Sequence, residues 1–181
     1  HDLRNPLNIA KTNLELIKKD HDIQGLETIA NSHDRMENLI DELLTLAHEG
    51  KKIDRKKEID LSKIIKDSWE NVETKNGKIQ INTNKKIEAD KNRLKQLLEN
   101  LFRNTIEHTE KNVIVSAGDF EYGFYIEDNG PGIPEEKREK VFEIGYTTSN
   151  EGTGFGLNIV KDIVEAHNWK IDIKESNSGG A

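Results

Sequence analysis

Leu3, Leu7, Ala10, Leu14 and Ile17 recur at alternating steps of four and three along the first segment of the chain. Leu26, Ile29, His33, Met36, Ile40, Leu43 and Ala47 repeat the alternation in the next segment. Apolar positions spaced this way draw a seam down a helix, so the pattern predicts two helices connected over Asp20 to Gly25. Two helices alone bury little apolar surface. Two hairpins closing into a dimeric four-helix bundle are the economical solution, with a monomeric hairpin docked on the rest of the chain as the alternative. His33 falls on the seam and is expected as a satisfied core histidine.

The pattern then changes. Glu49 to Glu58 is polar and basic and reads as a linker. Leu61 to Val72 reads as a helix, with Ser62 and Asp60 competing to cap it. Ile79 to Asn82 alternates as a strand does, and a short strand is expected near Ile87 to Ala89. Asp90 to Glu107 is predicted helical, with Leu94, Leu97, Leu98 and Leu101 on one face. Val113 to Ser116 and Tyr122 to Glu127 read as paired strands joined around Gly118 to Glu121. A short helix from Glu135, a polar loop, a helix over Gly156 to Ala166 and a strand over Trp169 to Lys174 follow. The last six residues show no obvious final element. The expected fold class is α+β: a helical hairpin over 1–50, a linker over 51–58, and a sandwich of helices on a mixed or antiparallel sheet over 59–181.

Composition narrows the classes. Of 181 residues, 33% are hydrophobic and 34% charged, enough for a modest core under a charged surface. A net charge of −7 argues against a general nucleic-acid binder, which would carry a basic face. The absence of cysteine excludes disulfides and thiolate metal sites. No apolar run approaches the roughly 20 residues of a membrane span. A cytoplasmic piece without direct membrane contact is expected, excised from a parent that would carry any anchor.

Candidate chemistry lies at both ends. With Leu3 and Leu7 on the seam, His1, Asp2 and Asn5 fall off it, and His1 and Asn5, four apart, are neighbours on the exposed face. A neutral imidazole attacks through one nitrogen, and a carboxylate on the other nitrogen's proton fixes the tautomer and raises nucleophilicity. Asp2 is placed by sequence to do this, and Pro6 permits a kink beside it. Taken alone, a surface His–Asp pair is common.

In the helix from Asp90, Asn100 and Asn104 are four apart and offer two amide oxygens along one edge. Such hard neutral ligands suit a Mg²⁺ that already carries phosphate oxygens, although two solvent-facing amides would look the same. Asp128, with Gly130 and Gly132, follows a predicted strand; the carboxylate could accept from an adenine amino group, while a plain strand-ending turn also explains the segment. Gly152, Thr153, Gly154, Phe155, Gly156 and Leu157 lead into a helix, so backbone N–H groups and the helix N-terminus face an anion. Tyr146 to Glu151 would form a mobile lid over the phosphates.

Taken in order, these stretches resemble the sensor histidine kinases of two-component signalling. HDLRNPL is similar to the family's phosphoacceptor box, usually H-E-L-R-T-P-L. NLFRN resembles the N box, DNGPGI the first glycine box, VFE with Phe142 the F box, and GTGFGL the second glycine box. The resemblance implies a dimerisation and phosphotransfer hairpin followed by an ATP-binding sandwich shared with gyrase, heat-shock chaperone and mismatch-repair ATPases. It makes His1 the phosphoacceptor, with Asp2 replacing the usual glutamate and Asn5 at the position that orients water for dephosphorylating a partner. Asn104 matches the Mg²⁺ ligand, Asn100 the other N-box asparagine, Asp128 the adenine acid, and Gly152, Gly154 and Gly156 the phosphate turn.

Glu107 stands where the N box often has lysine, His108 is the following aromatic, and Ser149 replaces a lid lysine. Arg103, Lys111 or a partner residue would have to supply the missing charge. The resemblance implies ATP and Mg²⁺ as cofactors, a homodimer through the hairpin, and a response-regulator receiver domain as partner. The implied activity is ATP-dependent autophosphorylation of His1 and relay to a regulator aspartate; a catalytically weak signalling scaffold is the alternative.

Overall fold

The computed structural model describes residues 53, 55–72, 77–109, 112–148, 152–176 and 179–181, together with five helical positions nearer the start: Thr12, Ile29, His33, Met36 and Ile40. The chain divides into two compact units, His1–Glu49 and Gly50–Ala181. The hairpin connection and the expected site residues His1, Asp2 and Asn5 lie outside the described residues. His33, expected in a core, is exposed within the single chain. Helical spacing fixes the face on which a residue lies, but not what covers that face.

The second unit begins inside the expected linker. Lys57–Asp60 forms strand β1, paired antiparallel with β3, Lys86–Ala89. Lys57 and Glu58 read as linker because their charges mask the alternation, and only Ile59 of this strand is buried. Asp60 ends β1 in an extended conformation and caps helix α1, Leu61–Glu70, by accepting from Lys63 N at 3.0 Å. Ser62 supports the cap, donating its hydroxyl to Asp60 Oδ1. Asp90 repeats the device for α2, Lys91–His108, accepting from the N–H groups of Asn92 and Arg93. Such caps are worth about 1 kcal/mol each.

Strands β2 (Lys78–Asn82), β4 (Ile114–Phe120) and β5 (Gly123–Asp128) form a mixed sheet, with β2–β4 parallel and β4–β5 antiparallel. Strand β4 runs on through Gly118, where the sequence predicted the turn. Gly118 opposes Tyr125, whose ring covers it, and Phe120 covers Gly123 in the same way. Such cross-strand cover offsets the weakness of glycine in a strand. The turn is therefore Glu121–Tyr122, and the Lys85 ammonium donates to the Phe120 and Glu121 carbonyls.

Ile79, Ile81, Val115, Ala117, Phe124 and Ile126 turn one face of this sheet toward the helices, while Lys78, Gln80 and Asn82 are exposed on the other. The core joins that face to α1 (Leu61, Ile64, Ile65, Trp69), α2 (Leu94, Leu97, Leu98, Phe102) and α3, Gly156–Ala166 (Ile159, Val160, Ile163, Val164). Trp69 meets Phe102 edge to face at 5.2 Å. The helix expected from Glu135 is a single 3-10 turn, Glu135–Lys137. Trp169 to Lys174 is not a strand. Its side chains alternate between half-buried and exposed, but no ladder forms, and alternation records the faces of an extended segment rather than its hydrogen bonds.

His167 ties the ends of α2 and α3 together. Its Nε2 accepts from Asp90 N at 3.0 Å, so Nδ1 carries the proton and donates to the Ile163 carbonyl at 2.8 Å. The ring stacks on Trp169, and Lys56 Nζ donates to the His167 carbonyl. Burial pushes the imidazole pKa below its usual 6.5; Lys56 and Arg93 add to this, against the Ile163 bond and Asp90. The unfolded chain therefore takes up this proton more readily. Stability from the neutral ring is complete above about pH 6.5 and is lost as the pH falls toward the depressed folded value. Tryptophan fluorescence reads this unit, because both tryptophans, Trp69 and Trp169, belong to it. We expect the urea midpoint to drop between about pH 7.5 and about pH 5, and His167→Gln to be weaker at neutral pH with a flatter acid slope. An unchanged slope in the variant would assign the acid sensitivity elsewhere.

Candidate nucleotide-binding site

Helix α2 carries Asn100 and Asn104 on the side that meets α3. The Asn100 amide donates to the Gln96 carbonyl at 2.9 Å, leaving its oxygen turned toward the neighbouring helix. A Cβ placed on Gly156 would stand 3.3 Å from Asn104 Oδ1 and 3.5 Å from Asn100 Oδ1. Both amide oxygens thus converge on the first residue of α3. Phe155 precedes that helix, and no side chain caps it. An uncapped N-terminus beside two oxygens suits a phosphate and its counter-cation.

The turn into α3 is held from below. Gly145 N donates to the Gly154 carbonyl at 3.1 Å, closing the base of the loop between them. Gly154 has φ +75°, and a Cβ there would lie 2.5 Å from Gly145 C. Thr153 accepts from Phe155 N at 3.4 Å, and Phe155 packs against the core. Gly152, Thr153, Gly154, Phe155, Gly156 and Leu157 are all half-buried. Residues 149–151 of the expected lid lie outside the described residues, as does Lys111.

Asp128 ends β5. Its Oδ1 accepts from Gly130 N at 2.8 Å, and Thr105 Oγ1 of α2 stands 3.4 Å from Oδ2. The tail folds back onto it: Asp128 N donates to the Ala181 carbonyl, and Ser176 Oγ donates to the Asp128 carbonyl, both at 2.9 Å. Gly132 packs against the Gly179 and Gly180 carbonyls. Asn129 clips the start of β4, accepting from Ile114 N and donating to the Asn112 carbonyl. His108 is exposed at the end of α2, as are Arg103 and Glu107.

Two residues went unnoticed in the sequence. Asn158 donates to the Phe142 carbonyl at 3.2 Å, fastening the VFE segment to α3, with Lys161 lying 6.0 Å from the Phe142 ring. Thr105 is the other. An amide two residues into a helix and a hydroxyl beside the second asparagine carry no pattern of their own, so only the fold reveals their partners.

Among the described residues no cluster of three or more His, Asp or Glu side chains could hold a metal, and no helix is long and apolar enough to cross a membrane. Fold and site together define a nucleotide-binding sandwich of the ATPase type.

Residues 89–181 match the model of the histidine kinase-, DNA gyrase B-, and HSP90-like ATPases, and residues 1–51 match the His Kinase A (phospho-acceptor) domain. The sensor histidine kinase YkoH of Bacillus subtilis is 32% identical over 99% of this chain and 44% of its own length. Histidine kinase ThkA, solved in complex with response regulator protein TrrA, is similar with a TM-score of 0.67 at 26% identity, over 93% of this chain and 53% of that one. Acinetobacter baumannii histidine kinase AdeS, 22% identical over 92% of this chain and 86% of its own, shares the fold with a TM-score of 0.65. The chain belongs to the histidine kinase-, DNA gyrase B-, and HSP90-like ATPase family, and along nearly its whole length it is similar to sensor histidine kinases. It spans less than half the length of the first curated relatives it matches, 44% and 42%.

The geometry separates Gly154 of the phosphate turn from Gly145, the glycine it packs against. Gly154→Ala combines a left-handed backbone with a collision against Gly145, whereas Gly145→Ala has φ +80° but nothing within 4 Å of the new methyl. The left-handed penalty alone is about 1–2 kcal/mol. Calorimetric titration with ATP should show Gly154→Ala weakened about tenfold or more, and Gly145→Ala weakened less. Equal losses would mean that contact between the two backbones does not shape the turn.

Proposed function

We propose that this chain is the kinase core of a sensor: it binds MgATP in the second unit, transfers the γ-phosphoryl to His1, and passes it to an aspartate of a response-regulator receiver domain. The observation that carries this reading is the pairing, on one chain, of a phospho-acceptor match over residues 1–51 with a nucleotide-binding ATPase match over 89–181. That pairing supports a donor site and an acceptor histidine carried on one chain.

The residues fit a magnesium nucleotide. Two neutral amide oxygens converging beside Gly156 are hard ligands for a cation that keeps most of its shell as water and phosphate oxygen. Asn104 and Asn100 would hold it. When bound, Mg²⁺ would supply charge neutralisation at the phosphates. Asp128 would accept from the adenine amino group, and the N–H groups entering α3 would face the phosphates. The ring of His108 and the loop of Gly130 and Gly132 would border the base. Phosphoryl transfer of this kind depends mainly on positioning and charge stabilisation.

At the acceptor, a neutral His1 nitrogen attacks the γ-phosphorus as the bond to the bridging oxygen of ADP breaks. Asp2 holds the proton on the ring's other nitrogen, and Asn5 orients the water that hydrolyses the phosphorylated regulator. The first unit would act as a homodimer. Ile40, on the predicted seam, is 48% exposed in the single chain, and a second hairpin would cover it. An exposed Glu107 on the nucleotide helix, where a cation would help, favours the scaffold as second reading.

Incubation with γ-labelled ATP tests this. Label that is acid-labile and alkali-stable, and absent from His1→Gln, is the expected outcome. ATP binding without label would favour the scaffold, and acid-stable label would point to a hydroxyl acceptor.

A further inference from the structure

The Asp128 carboxylate is held from two sides, and only one of them is backbone. Oδ1 is committed to the Gly130 N–H at 2.8 Å, with Ala181 N a further 3.4 Å contact. Oδ2 has Thr105 Oγ1 at 3.4 Å. Thr105 is buried on α2, directly after Asn104, and its hydroxyl also lies 3.1 Å from the Leu101 carbonyl one turn back. A hydroxyl has one proton to donate, so these two acceptors compete for it. Return bonding to the preceding turn is the ordinary habit of a helical threonine, whereas a carboxylate is the stronger acceptor. One turn further on, Thr109 Oγ1 is buried with no partner, and a Cβ on Gly130 would stand 3.0 Å from it. The side of α2 that meets the Asp128–Gly130 loop is therefore lined by hydroxyls at successive turns.

We propose that Thr105 is a specificity-positioning residue, which fixes the rotation of the Asp128 carboxylate so that one oxygen remains an acceptor for a purine 6-amino group. The inference rests on the adenine reading of Asp128 given above. With Oδ1 tethered to the loop, the carboxylate still turns about its own bond. Thr105 is the side chain that resists this turn from the α2 side. A fixed acceptor favours adenine, which offers an N–H donor at position 6, over hypoxanthine, which offers a carbonyl oxygen there. Removing the hydroxyl while keeping the volume, as in Thr105→Val, frees the carboxylate to turn away from that oxygen.

The test compares MgATP and MgITP binding by calorimetry for the whole chain, Thr105→Val and Thr105→Ser. The unmodified chain should prefer ATP, because a site built around a hydrogen bond rejects analogues that cannot make it, commonly by about a hundredfold or more. Thr105→Val should narrow the ratio of the two affinities by about tenfold, largely by losing ATP affinity, and Thr105→Ser should restore it. If Thr105 serves only to pack α2, both affinities fall by the same factor and the ratio stays fixed; that result overturns the inference. Failure of the unmodified chain to bind either nucleotide would sink the nucleotide reading itself, which is a distinguishable outcome. Melting curves in the absence of nucleotide identify a variant that has simply unfolded, and Thr105→Ala, which also lacks the hydroxyl, then stands in for Thr105→Val: a ratio narrowed by about tenfold supports the inference, and one as wide as that of the unmodified chain overturns it.

Discussion

The close approach of α2 and α3 at Gly156 is the constraint from which the site follows. A methyl there would stand only 3.3 Å from Asn104 Oδ1, so the helices meet nearly backbone to side chain at that point. The apolar stripes of the two helices draw them together, Leu94, Leu97, Leu98 and Phe102 on one and Ile159, Val160, Ile163 and Val164 on the other. Burying each such side chain is worth about 1.5–3 kcal/mol. That contribution is non-directional, and the missing side chain at Gly156 gives it direction. It lets the start of α3 arrive where the amide oxygens of Asn100 and Asn104 point. A dry contact and a polar site thus share one edge.

Much of this was legible in the sequence, for separable physical reasons. The helical stripes announced α1, α2 and α3 because a face buried on one side leaves a strong period, as at Leu94, Leu97 and Leu98. The spacing of Asn100 and Asn104 put both amides on one edge, since residues four apart are helical neighbours. Less was legible where cover comes from across a sheet. Gly118 read as a turn because nothing local reveals the Tyr125 ring lying on it. Strand β1 hid behind lysine and glutamate, since an edge pair needs only one apolar residue to seat it. At Trp169 to Lys174 the error ran the other way, a good alternation without a partner strand.

The side of the site around Asp128 is assembled from distant segments. β5 delivers the carboxylate, α2 sets Thr105 against one oxygen, and the Gly130 N–H takes the other. The tail closes over its backbone through Ser176 and Ala181. Three sequence-distant pieces must therefore be in place before that group has a fixed direction, whereas the Asn pair needs only two packed helices. The two halves of one site depend on different parts of the fold.

Lys56 adds a mechanical aspect. Its ammonium grips the His167 carbonyl just before the chain enters β1, at the C-terminal end of α3. Eleven helical residues, about 16 Å, separate that grip from the phosphate turn at the other end. A pull on the chain ahead of β1 is thus met by the β1–β3 ladder and by this one contact at the tail of α3, at the opposite end of the helix from the glycine loop.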